Sequence, residues 1–320
     1  MAELMATRDA YGKTLVKLGK ENKEIVVLDA DCSSSTRTSM FKEAFPDRFF
    51  NFGIGEANMM GFAAGLATCG KTVFASTFAV FGSARVFDQV RTSIAWPNLN
   101  VKIVVSHAGI SVGEDGASHQ AIEDIALMRS LANMCVVVPA DGIETEKAII
   151  ASTKIPTPFY IRLGRAKFPI VFSDDYEFKI GKGAIIRDGD EATIIAIGLM
   201  VFEALQSADE LEKEGIKTRI INMSTVKPID KDIIIQAAHE TGAIVTCEEH
   251  SIIGGLGSAV AEVLGENYPV PMKRIGVADR FGFSGTPDKL LERFEMKSTH
   301  IVKAVKEVMR RKKGFRQSTP

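Results

Sequence analysis

Apolar runs of strand length alternate with helix-patterned stretches along most of the chain. Over residues 8–20, Ala10, Leu15, Val16 and Leu18 fall on one side among lysines, which predicts an amphipathic helix. The run EIVVL at 24–28 predicts a buried strand, and 37–44 a short helix. Further strands are predicted at 49–52, 71–78, 100–106, 134–138 and 158–163. Helices are predicted between them at 84–95, ending before Pro97, at 121–131 and at 143–152. Most strands are continuous apolar runs without period-two alternation, the pattern of a parallel sheet covered on both faces. Between residues 167 and 190 the alternation pauses, and Pro169, Asp174, Asp175, Gly181, Gly183, Asp188 and Gly189 cluster there. That reads as a linker carrying one short strand. Strands then resume at 193–197, 217–222, 243–247 and 272–277, and two helices near 287–294 and 299–309 close the pattern. The fold class is α/β, with two parallel-sheet domains, the second smaller.

One stretch, FFNFGIGEANMMGFAAGLA at 49–67, breaks this regularity. A short aromatic strand turns on Gly53 and Gly55 into a helix of small and apolar residues with no polar face. Glu56 stands at the helix start. Three readings compete: Glu56 complements the helix dipole, Gly53-Ile54-Gly55 between strand and helix marks a dinucleotide fold, or Glu56 is a buried acid whose pKa is raised by desolvation. The dinucleotide reading lacks the third glycine, and Glu56 would repel a pyrophosphate.

Composition excludes more than it assigns. A 320-residue chain with 46% hydrophobic residues can build two cores. Net charge is −1, from 39 basic and 40 acidic residues, which points to no nucleic-acid surface. The run Arg310 to Lys313 reads as a solvated, frayed tail. Cys32, Cys69, Cys135 and Cys247 lie far apart, as reduced core cysteines of a cytoplasmic protein would. No signal peptide or membrane-spanning run is evident.

In parallel α/β sheets, ligands bind at the carboxyl ends of the strands. In the first domain those ends carry Asp29 and Asp31, Glu56, Phe78 and Phe81, His107, then Arg162 and Arg165. The second domain offers Ser224-Thr225, Glu248-Glu249-His250 and Asp279-Arg280, a weaker set that loop chemistry explains equally well. His239 and His300 sit in helical contexts and read as surface residues. After His107, the run DGASHQ sets Asp115 and His119 four residues apart across a glycine turn, suited to binding hydroxyls and moving protons.

GIGEANMMGFAAGLA, the STF–F pattern of Ser76 to Phe81 and the DGxxHQxIED run resemble the pyrimidine-binding domain of transketolases. Residues 190–310 resemble the C-terminal domain of the same enzymes. The likeness implies a thiamine diphosphate-binding, pyrimidine-type fold at 1–170, a linker at 171–190, a transketolase C-terminal-like domain at 191–312 and a tail at 313–320. It also implies roles. Glu56 matches the glutamate that hydrogen-bonds N1′ of the cofactor's aminopyrimidine, and Phe78 and Phe81 match the aromatics stacking on that ring. Asp31 matches an acid near the same ring. His107 and His119 match histidines near the reacting sugar hydroxyls and carbonyl, and Asp115 an acid reading a hydroxyl. Arg8, Ser35 and Arg165 match groups that hold a sugar phosphate. Ala84 replaces a tyrosine that many members carry after Ser83, which alters one wall of the site.

No GDG…N motif, which binds Mg²⁺ and the diphosphate in transketolases, is found; the nearest string, RDGDE at 187–191, fits nothing. The resemblance therefore implies one subunit of a split transketolase, with thiamine diphosphate and Mg²⁺ completed by an N-terminal partner and with self-association. The β subunit of a 2-oxoacid dehydrogenase, a deoxyxylulose-phosphate synthase-like enzyme and a non-catalytic scaffolding subunit are the alternatives. DGASHQ, Arg8 and Arg165 favour the transketolase.

Overall fold

A computed structural model describes residues 3–318. Its early strands are Leu4–Met5 (β1), Ile25–Asp29 (β2), Phe49–Asn51 (β3), Thr72–Phe78 (β4) and Val101–Ser106 (β5). Cys135–Val137 (β6), Phe159–Arg162 (β7), Phe168–Pro169 (β8) and Ala184–Arg187 (β9) follow. Ala192–Ala196 (β10), Thr218–Asn222 (β11), Thr225–Lys227 (β12), Ile244–Ser251 (β13) and Met272–Val277 (β14) complete the set. The first sheet runs β12-β6-β7-β5-β4-β2-β3, and the second β14-β13-β10-β11-β9. Both are parallel except at one edge, where β12 and β9 run antiparallel to their neighbours. A small β1-β8 ribbon ties the start of the chain to the stretch after β7.

The central strands are buried on both faces, as continuous apolar runs require. Lys102 is the exception inside β5. Its Nζ donates to the carbonyls of Ile155 (2.8 Å) and Thr157 (2.7 Å), which satisfies a cation buried among apolar side chains.

Three expectations change. The helix predicted at 84–95 opens as a turn over 84–86, then becomes a short helix at Phe87–Gln89 and a π-helical segment at Val90–Ala95. The helix predicted from 121 begins at Asp124, because Gln120 donates to the Phe283 carbonyl and the Ile122 carbonyl accepts from Ser251 N, both in the second domain. The basic run expected to fray lies inside the helix Ser298–Ser318, and Arg311 pairs with Glu307 one turn before it. Thr319 and Pro320, at the end of the expected tail, lie outside the described residues.

The two domains share structure. β12 belongs by sequence to the second half yet closes the edge of the first sheet. One apolar core contains Val136 and Tyr160 of the first half together with Ile195, Ile221 and Met223 of the second. Between them lies a buried ion pair. Arg162 Nε donates to Asp124 Oδ2 at 2.8 Å, and Tyr160 Oη donates to the same oxygen at 2.8 Å. Arg162 Nη2 donates to the carbonyls of Ala121 (3.0 Å) and Glu249 (2.9 Å), the latter in the second domain.

Removing one member of a buried pair strands the other in low dielectric. Arg162→Met is expected to lower unfolding free energy by about 3–5 kcal/mol, read from urea denaturation. The double change Arg162→Met with Asp124→Leu should recover much of that loss. A single-variant loss below about 1 kcal/mol, the range of exposed pairs, would show that the pair does not hold the domains together.

Candidate active site

The carboxyl ends of β2, β4, β5 and β7 converge on one edge. Glu56 opens the helix Glu56–Thr68 and is only 3% exposed. The sequence left this carboxylate without a protein partner; the structure supplies Arg85, whose Nη1 lies 3.1 Å from Glu56 Oε1. The same guanidinium sits 4.2 Å above the Phe81 ring. Phe81 and Phe78 are near parallel, with centroids 6.0 Å apart. Phe78 in turn stacks on His107 at 3.9 Å, and His119 meets Phe81 edge-on at 5.5 Å. Glu56, both aromatics and both histidines thus form one contiguous wall.

His107 follows β5 directly and has φ +58°. Its Nδ1 is 2.8 Å from Ser106 Oγ, and its Nε2 has a long 3.5 Å contact with Arg8 Nη1. A guanidinium can only donate, so Nε2 accepts and Nδ1–H points at the serine. Burial, then the charges of Arg8 and Arg165, push the imidazole down to about 3, so it is neutral at physiological pH. His119, half-buried, has its Nδ1 2.9 Å from Ser118 Oγ.

Beside His107 lies a cationic corner. Arg8 Nη1 donates to the Ser35 carbonyl at 2.9 Å, so Ser35 meets it through its backbone. Arg165 Nη1 donates to the Val112 carbonyl and faces Glu114 at 3.4 Å and Asp115 at 3.7 Å. Asp115 is therefore at the site but turned toward Arg165. Arg37, absent from the sequence-based set, joins the corner: it pairs with Asp9 at 2.6 Å and donates to the Ser34 carbonyl. Burial lowers the Arg8 pKa, and the charges of Arg37 and Arg165 add to the effect. An anion placed among the three would relieve that crowding.

Asp29 is scaffolding. It is fully buried and accepts from Cys32 N (2.6 Å), Thr36 Oγ1 (2.7 Å) and Thr38 Oγ1 (2.8 Å), which shapes the loop carrying Ser35 and Arg37. Asp31 is exposed at φ +59°; its backbone N donates to Asn51 Oδ1 at 3.0 Å. It flanks Cys32, whose thiol is pushed up to about 11 by burial, with Asp29, Glu56 and Asp31 adding to the rise. Arg162, expected at this edge, is instead committed to its buried pair with Asp124.

Of the second domain's edge residues, Glu249 and His250 hold the first domain from behind, while Glu248 caps a helix of its own domain. Glu248 accepts from the backbone N of Leu256 and Gly257, at the start of the helix Leu256–Asn267. Glu249 accepts from Ser111 N, in the loop after His107. His250 Nε2 accepts from Ala126 N, and burial pushes its pKa down to about 4. His239 is exposed, as expected, but the His300 side chain is only 16% exposed. Among the described residues, no group of three or more His, Cys, Asp or Glu could hold a metal ion, and no helix is long and apolar enough to cross a membrane.

The pyrimidine-binding domain family of transketolase matches residues 3–170, and the transketolase C-terminal domain family matches residues 181–301. The chain belongs to the transketolase family. Transketolases are thiamine diphosphate-dependent transferases. A Methanocaldococcus jannaschii protein provisionally named a transketolase C-terminal section is 48% identical over 95% of this chain and 96% of its own. The 6-deoxy-6-sulfo-D-fructose transketolase subunit SqwH of a Clostridium species is 43% identical over 95% of each chain. A solved structure described as a split gene transketolase, inactive beta4 tetramer, superimposes with TM-score 0.88 and 53% identity, covering 95% of this chain and 98% of that one.

Arg37, Arg85 and Gln120 are missing from the sequence-based set. Gln120 lay within the DGASHQ run, whereas Arg85 follows the anomalous Ala84 but belongs to no motif of the sequence. Arg37 had no comparable signal, because only the fold brings it beside Arg8.

The behaviour of Glu249 gives a pH test. Burial pushes its carboxyl up to about 7, against an ordinary value of 4.5, with Arg162 pulling the other way. The folded chain therefore holds this proton more tightly than the unfolded chain. The resulting stability is complete below the ordinary value and is lost as pH rises through about 7. Glu249→Gln cannot titrate, so its Tm relative to wild type should rise steadily between about pH 5 and 8. A constant Tm difference across that window would show that the carboxyl is already ionised in the fold.

Proposed function

We propose that this chain is the C-terminal subunit of a split transketolase, moving a two-carbon ketol unit from a ketose phosphate to an aldose phosphate. The observation that carries the reading is the wall itself: a buried Glu56 beside the stacked pair Phe78 and Phe81, with His107 and His119 against the same rings. An aminopyrimidine fits these residues. It needs an aromatic face and a carboxylate at its edge, and Arg85, a flat cation, now makes both contacts. When bound, thiamine diphosphate supplies the electron sink for breaking a carbon–carbon bond.

The chain's own residues do the rest. Glu56, now paired with Arg85, would hold the ring at N1′ and keep a proton there. His119 moves protons at the sugar oxygens. His107, neutral, offers them a hydrogen bond rather than a charge. Arg8, Arg165 and Arg37 hold the phosphate end, with Ser35 at the same loop, and Asp115 reads a hydroxyl once the phosphate draws Arg165 away. Asp31, exposed after β2, would flank the ring. The diphosphate and Mg²⁺ require hard oxygen ligands, which we assign to a separate N-terminal subunit.

Other features support that assembly. Phe50 is 40%, Ile54 83% and Phe62 42% exposed around the central helix. Such a surface suits burial by other subunits, and closed symmetry favours two copies of each chain. Four unpaired cysteines support a reducing, cytoplasmic setting.

Glu56→Gln keeps the side chain's size and removes the acid. In the assembled enzyme, turnover should fall by roughly 10²–10⁴, and activity within a few-fold of wild type would overturn the reading. Arg165→Ala should raise KM for phosphorylated sugars by roughly ten-fold or more and hardly change it for hydroxypyruvate, an unphosphorylated donor. Equal changes for both would make the arginine structural. Calorimetric titration with thiamine diphosphate and Mg²⁺ should show weak binding to this chain alone and tight binding with its partner.

A further inference from the structure

Gln120 is 3% exposed and adjoins His119. Its Nε2 donates to the carbonyls of Ile110 (3.1 Å) and of Phe283 (3.0 Å), with that of Gly113 farther off at 3.4 Å. An amide has two N–H groups. One therefore serves the first domain and the other crosses to the second. Facing carbonyls on three sides, this atom is the nitrogen and not the oxygen.

The second domain is shaped to receive it. A Cβ on Gly282 would stand 1.7 Å from Gln120 Oε1, so only glycine leaves room for the amide. Ser284 Oγ donates to the Glu114 carbonyl at 2.6 Å. Gly113 and Gly116 both adopt positive φ, and they pack against Gly285, Pro287 and Ser284. The loop over 113–120 is thus moulded on a template formed by 282–287. That loop carries Asp115, which faces Arg165, and His119, which meets Phe81.

We infer that the second domain holds the His119 loop in its working shape through Gln120, a positioning residue for ketol transfer, with Gly282 and Ser284 as its seat. The inference rests on the proposed role of His119. Without the amide, the Ile110 and Phe283 carbonyls lose a shared donor and the loop is free to shift. A displacement of about an ångström at a group that moves protons slows chemistry strongly. Cofactor contacts at Glu56 and Phe78 lie outside the loop and should stay intact.

Two variants and three readouts test this. Gln120→Glu keeps the shape but turns an acceptor toward the carbonyls. Ser284→Ala removes only an exposed hydroxyl and carries the test alone where Gln120→Glu fails to fold. Histidine-selective NMR of the full chain should show His119 ring signals shifted or broadened, with His239, remote in the second domain, unmoved. In the assembled enzyme, kcat should fall roughly ten- to a hundred-fold for Gln120→Glu and less for Ser284→Ala. Thiamine diphosphate affinity should be unchanged. Unaltered His119 signals overturn the clamp, whatever the turnover. Altered signals with unaltered kcat overturn the assignment of His119 to the reaction, and the positioning role with it. Loss of cofactor affinity in step with kcat would make the contact merely structural.

Discussion

Arg162 is the residue on which the arrangement of the two domains turns. A guanidinium withdrawn from water gains little net stability even when perfectly paired, because desolvation offsets most of the attraction. What it enforces is placement. Its donors reach Asp124, Ala121 and Glu249, so β7, the start of the helix Asp124–Ser130 and β13 must meet at one point. Any register that separates them leaves a buried charge unsatisfied. Tyr160 adds a second donor to the same carboxylate oxygen, which narrows the choice further.

From that point the second domain reaches the candidate site by two routes. Through Glu249 it holds Ser111, two residues beyond Gly109, which has φ +77° and whose Cβ, if present, would stand 2.3 Å from the Glu249 carboxyl carbon. The loop leaving His107 therefore has one shape. Through residues 282–287 it shapes the loop carrying His119. The two imidazoles against the aromatic pair are set by contacts made on the far side of their loops. A domain that contributes no side chain to the wall still determines its geometry.

Much of the fold was legible because parallel strands covered on both faces write themselves as mostly apolar runs, as IVVL of β2, IVV of β5 and II of β10 and β11 do. β12 was not, because three residues after a strand end carry no period, and their partner β6 lies far away in sequence. The 84–95 segment misled for another reason: its propensity is helical, but the ring contacts of Phe78 and Phe81 and the reach of Arg85 to Glu56 break the regular turn. At the site, the strand-end rule found Glu56, Phe78 and His107 from position alone. It also swept in Asp29 and Arg162, since position cannot distinguish a side chain facing the cleft from one buried behind it. Arg37 and Arg85 depend on long-range packing and were invisible to it.

Arg85 shows why half a site can be stable by itself. A buried carboxylate at the mouth of an apolar helix is unfavourable without a partner, and an aromatic face open to water gains nothing. One half-exposed arginine answers both, stacking on Phe81 while it pairs with Glu56. Its own exposure keeps the arrangement labile, because a guanidinium that returns to water recovers most of its hydration. The walls, Phe78 and His107, are fixed by packing; the side chain that covers them is not. On the proposed reading, a planar, hydrogen-bonding ring then meets a site whose geometry is already set, and the only group it must displace is one that leaves readily.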